Sequence, residues 1–309
     1  MILINGIIEY DHKLTSLPRF LLIQQIAPKK SYWNTILIFT LIYYITLTIV
    51  LLIIWPPMTF NITIIGLYFI RLEFIVDVTV IYASYFFLQQ LEYRFQMLND
   101  SWKYLLPGFL AVPRELTHSI TEMTLDKIRL LHAELSDLLR LFSVGYGKIL
   151  LGFFVFSYIH MISCFFYTIH FDFKLRDEFL FINFLRNFAP HIFNLQNFLL
   201  VVAITIAASH VHEKKQKMIS HLRLIRISNL STNLKIQVKL FMNQITIFES
   251  SEITAFGFFS INLNLVVSIL ILLITGLVTL IQMKKHQVSL QTKLSLKNFL
   301  LNAYNVTSI

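Results

Sequence analysis

Five stretches of this chain stay apolar for about 20 residues, the length a helix needs to cross roughly 30 Å of hydrocarbon. They are residues 34–55, 62–87, 149–170, 192–210 and 255–283. The segments between them are patterned differently. Leu91, Phe95, Leu98, Trp102 and Leu105 recur at helical spacing, as do Leu125, Ile128, Leu131, Leu135, Leu138 and Phe142. A third stripe, Leu234, Val238, Phe241, Ile245 and Phe248, precedes the last span. Each stripe marks an amphipathic helix that must bury one face. The expectation is an all-α protein: a polytopic transmembrane helical bundle whose helices continue through loops 88–148 and 211–254 as a cytoplasmic bundle. Helices lying flat in the membrane interface are the alternative. The whole of 1–309 reads as a single membrane domain.

Composition agrees with that reading. Of 309 residues 56% are hydrophobic and 14% charged, against about 25% charged in soluble proteins. The net charge of +9 does not point to nucleic acid, because the basic residues gather between the spans. With the N-terminus inside, 18 of the 26 Lys and Arg residues lie on inner segments, which predicts a cytoplasmic N-terminus and an outer C-terminus. The basic tail Lys284, Lys285, Lys293 and Lys297 runs against this trend. Residues 1–8 are apolar but short and lack a basic leader, so no secretory signal is expected. Cys164 is the lone cysteine; no internal disulfide or multi-cysteine metal site is expected.

The chemistry-bearing residues are few. No HExxH, Walker, GxSxG or paired-cysteine pattern occurs, so no enzyme, catalytic residue, metal or cofactor is expected. Beyond Gly257, the polar residues of the last span are Ser260, Asn262, Asn264, Ser268, Thr275, Thr279 and Gln282. Taken as one helix, all but Asn262 fall within an arc of about 100°. Polar groups against lipid are costly, so the strip should face protein or water: as interhelical bonding or as the wall of a pore in an oligomer. The second span carries Arg71, Glu73 and Asp77. Glu73 and Asp77 share a helical face, which suits a cation site, a transporter's coupling groups, or a buried pairing with Arg71. Tyr68 and Tyr158, with Tyr43, Tyr44, His160 and Tyr167, could line an aromatic cavity or form interfacial belts.

Several local patterns resemble the insect gustatory receptors. That family ends its last helix with Thr-Tyr, five mainly hydrophobic residues and Gln-Phe. Here Thr275-Gly276, residues 277–281 and Gln282-Met283 keep the spacing, with Gly276 in place of Tyr and Met283 in place of Phe. Gly257-Phe258-Phe259 with Asn262, Arg94-Phe95 with Leu98-Asn99, Leu131-His132 with Leu135, and Tyr146-Gly147 are similar to other family patterns in the same order. The resemblance implies a seven-span plasma-membrane receptor of sensory neurons, a homo- or hetero-tetrameric cation channel gated by a small-molecule tastant and bathed in membrane lipid. It implies that Asn264, Ser268, Thr275, Thr279, Gln282 and Met283 line the pore. A ligand pocket in the outer half would draw on Tyr68, Arg71, Glu73, Asp77 and Tyr158. The five spans would match the third through seventh, which leaves a truncated, nonfunctional relative as an alternative.

Overall fold

The computed structural model describes residues 2–17, 33–54, 56, 72–111, 116–170, 180–223, 232–249 and 253–307. Seven helices occur among them: α1 (Ile2–Thr15), α2 (Trp33–Ile54), α3 (Leu72–Ala111), α4 (Leu116–His170), α5 (Leu180–Arg223), α6 (Thr232–Glu249) and α7 (Leu263–Thr307). A two-stranded hairpin, β1 (Thr254–Ala255) and β2 (Phe259–Ser260), stands just before α7. The described residues are all-α, with no sheet core among them. Within α2, α4, α5 and α7 are stretches long and apolar enough to cross a membrane. The first ten residues of the expected second span, 62–71, lie outside the described residues; the remainder forms the start of α3.

The chain forms two units. The first comprises Met1–Phe153 and Val202–Leu263. Its core holds the stripes read from the sequence, apart from Leu105 and Phe248, whose side chains lie outside the described residues. Leu91, Phe95, Leu98 and Trp102 of α3, Leu125, Ile128, Leu135 and Phe142 of α4, and Leu234, Val238, Phe241 and Ile245 of α6 are all buried. The rings interlock: Trp102 meets Phe241 edge-on at 5.8 Å, and His132 lies 5.5 Å from Phe241 and 6.1 Å from Phe95. Burying each such side chain stabilises by about 1.5–3 kcal/mol. The bundle is therefore built from helices packed on one another, not helices laid separately on lipid.

Residues 2–15, expected only as a short apolar start, form α1 on this bundle. Leu3, Ile7, Tyr10 and Leu14 are its buried face. Gly6 lets α1 approach closely, since a β-carbon there would meet Leu138 Cδ2 at 2.5 Å. The buried Arg94 donates to both carboxylate oxygens of Asp11, at 2.9 and 2.5 Å, and Lys13 pairs with Glu134 at 2.9 Å. Asn99 Nδ2 donates to the carbonyl of Lys214 at 2.7 Å, tying α3 to the C-terminal part of α5.

The second unit comprises Phe154–Val201 and Asn264–Ile309. Its contacts fix direction. Tyr158, Ile162 and Ile169 of α4 meet Leu272, Gly276 and Lys284 of α7 in ascending order, so these segments run parallel. Asn194 donates to the carbonyl of Met161 at 3.5 Å and His191 lies 6.3 Å from Phe165, so α5 runs against α4. That alternation is what serial membrane crossings require. The α5 helix continues through Pro190 back to Leu180, although proline lacks an N–H for the helical ladder.

Candidate functional site

The site begins with the turn that introduces α7. The last span starts at Leu263, not at Ala255, because residues 254–260 pair as a hairpin. Ser260 therefore lies in β2, and its place on a helical arc does not hold. The two central residues of the turn, Phe256 and Gly257, have φ of 53° and 79°, the backbone of a primed turn. Glycine adopts that conformation freely, but for Phe256 it costs roughly 1–3 kcal/mol.

Contacts with α4 hold the strained turn. Thr254 N–H donates to Ser143 Oγ at 3.0 Å, and Lys148 Nζ stands 4.9 Å over the Phe256 ring. Gly147 makes the approach possible: a β-carbon there would lie 2.8 Å from Phe256 N and 2.9 Å from the Thr254 carbonyl oxygen. The Tyr146-Gly147 and Gly257-Phe258-Phe259 patterns thus meet at one seam.

Along α7, two faces separate. At about 100° per residue, Asn264, Ser268, Thr275, Thr279 and Gln282 fall within an arc of about 60°. All five are exposed, as is Met283, about 100° round from Gln282. The covered positions Leu265, Val266, Ile269, Leu273, Gly276, Leu277 and Leu280 centre about 130° away from that strip. Gly276 is on the covered face, where a β-carbon would meet Ile162 Cδ1 at 2.6 Å and lie 3.8 Å from Tyr158 Oη. A tyrosine does not fit there without displacing α4; the glycine is matched to Ile162 and Tyr158. The Tyr158 hydroxyl donates to the Leu272 carbonyl at 3.5 Å, so this residue sits in the α4–α7 packing. Lys284 Nζ donates to the Ile169 carbonyl, placing a cation at the C-terminal end of α4, where the helix dipole favours one.

The hydroxyls of the strip satisfy themselves. Ser268, Thr275 and Thr279 donate to the carbonyls of Asn264, Ile271 and Thr275 at 3.0, 2.8 and 2.9 Å. The amide side chains of Asn264 and Gln282 have no hydrogen-bond partner among the described residues. They, more than the hydroxyls, set the demand for water or a partner. In the most apolar 18 residues of Leu263–His286 only 6% are buried among the described residues.

Tyr68 and Arg71 lie outside the described residues. Glu73 and Asp77 belong to the first turns of α3. The sequence marks His132 only as part of a family-like pattern, whereas the structure buries it fully in the interior of the helical bundle. Burial, reinforced by the charge of Lys215, pushes its pKa down to about 3, so the imidazole is neutral.

Among curated proteins no match is found. The family described as 7tm Chemosensory receptor matches residues 3–287, which takes in α1, the inner bundle, the hairpin and the crossing part of α7. Its extent agrees with the ordered patterns that resemble the gustatory receptors. The chain belongs to the 7tm chemosensory receptor family.

Proposed function

We propose that this membrane receptor is a taste receptor and is itself a ligand-gated cation channel. Four copies, identical or related, surround a central axis in the plasma membrane, with the N-terminus in the cytoplasm. The α7 strip of Asn264, Ser268, Thr275, Thr279 and Gln282 lines the conduction path, with Met283 at its end. Tastant binding is assigned to the outer half of the earlier spans, drawing on Tyr68, Arg71, Glu73, Asp77 and Tyr158.

One observation carries this reading: the polar strip of α7 lies on the face that the described residues leave uncovered. Two primary amides facing hydrocarbon would each cost several kcal/mol, so the strip favours water or another copy. Rings of such side chains are how channels build selective paths. The test is current through purified protein in lipid bilayers. Gln282→Leu and Thr279→Leu should change unitary conductance, whereas Ile274→Leu, on the apolar face, should leave it unaltered. Identical unitary currents in all three would refute pore lining by this strip.

A further inference from the structure

Between the first half of α2 and the facing part of α3 lies a cleft of about 530 Å³, a size typical of small-molecule sites. Leu37, Leu41, Ala83 and Phe86 give it apolar walls, and Thr40 and Tyr82 meet within it. Every described residue lining it is uncharged. Leu37 and Leu41 are more than half exposed, so the mouth opens on the apolar surface of α2, a helix able to cross a bilayer.

The paired hydroxyls decide what such a cleft prefers. Thr40 Oγ1 lies 2.9 Å from the carbonyl oxygen of Ile36 and 2.5 Å from Tyr82 Oη. A carbonyl only accepts, so the single hydroxyl proton of Thr40 goes to Ile36. Tyr82 must then donate its own proton to Thr40. Both hydrogens are committed, while Tyr82 Oη keeps lone pairs for a further bond. The pair offers acceptors and no donor. Tyr44 and Thr79 also stand on the wall, but this geometry imposes no such double commitment on them.

We propose that the cleft binds an uncharged, largely apolar small molecule bearing an O–H or N–H donor, which reaches it dissolved in the bilayer. An ammonium would donate too, but with no carboxylate among the described wall residues its desolvation is uncompensated. An ether or ketone of the same shape would set oxygen lone pairs against those of Tyr82. The site is independent of the pore reading, because direct binding reports it without current.

The experiment uses the full chain in lipid nanodiscs. The probes are a radiolabelled cyclic alcohol of about ten carbons, small enough for the cleft, and its methyl ether. Each probe is compared between wild type and variants, which cancels its partition into lipid. Saturable binding is expected, with the alcohol favoured over the ether by about three- to tenfold, the range of one neutral hydrogen bond. Tyr82→Phe with Thr40→Val should remove that preference while leaving ether binding in place, and Tyr82→Phe alone, which keeps the Thr40 oxygen as an acceptor, should reduce it. Ala83→Phe, which fills the cleft, should weaken both probes. The proposal is overturned by an absence of saturable binding, by an alcohol preference that survives both Tyr82→Phe variants, or by binding that Ala83→Phe leaves untouched.

Discussion

The inner bundle and the last span solve opposite problems with similar residues. In the bundle, Phe95, Trp102, Phe142 and Phe241 are sealed by one chain. Along α7, Ile271, Ile274, Val278 and Ile281 are each about half exposed or more. The first region completes its core alone. The second leaves apolar and polar faces side by side, and only surroundings of two kinds, hydrocarbon and something wetter, satisfy both. Apolar content therefore does not distinguish a core from an interface; what matters is whether the same chain returns to cover it.

Substitutions can sharpen or break this contrast, and the largest effect belongs in the bundle. Phe241→Ala removes a ring that touches both Trp102 and His132 and should cost about 3–5 kcal/mol, read as a lower unfolding midpoint in detergent. Ile274→Ala, 61% exposed, should shift that midpoint by less than about 1 kcal/mol. If the two costs were equal in monomeric detergent-solubilised protein, the contrast would fail.

Acid should also select the bundle. His132 titrates at about 3 when folded and at about 6.5 when unfolded. Below pH 6.5 the unfolded chain takes up a proton that the folded chain refuses, so stability is complete above that value and falls as pH drops toward 3. The slope approaches about 1.4 kcal/mol per pH unit, an order-of-magnitude loss of about 2 kcal/mol by pH 5. His132→Leu should flatten this part of a stability-versus-pH curve, and an unchanged slope would assign the acid sensitivity to other groups.

Two glycines make a finer comparison. At Gly147 a β-carbon strikes backbone atoms of the hairpin, which cannot swing aside, and Gly147→Ala should cost about 1–3 kcal/mol. At Gly276 the obstruction is the end of the Ile162 side chain, which can rotate, so Gly276→Ala should cost less than about 1 kcal/mol. Thermal melts of the two variants in parallel would show whether the gap exists.

The bundle was legible because a period of 3.6 residues survives in the sequence whatever the stripe packs against. The same spacing runs through Leu3, Ile7, Tyr10 and Leu14, but Ile2, Ile4 and Ile8 beside them blur it into a uniformly apolar start. The hairpin was not legible. Its strands are two residues each, and Phe256-Gly257 lacks the Asn-Gly signature of a primed turn. Ser260 was consequently counted on a helix that begins three residues later. The strip from Asn264 to Gln282 was visible by arithmetic, whereas the self-bonding of its hydroxyls depends on rotamers that no spacing reveals. Glycine at 276 reads in the sequence as a departure from the family pattern; only the neighbouring Ile162 and Tyr158 explain it.

Helix α7 runs unbroken from Leu263 to Thr307, 45 residues. At about 1.5 Å per residue its length is about 67 Å, more than twice the thickness of a bilayer's oily interior. A rod of that kind outlasts the membrane it crosses, and its far end must stand in water like a mast. A fluorophore or antibody epitope fused beyond Thr307 would ride clear of the headgroups, and tilting of the rod would sweep that tag through an arc larger than any movement of the buried portion.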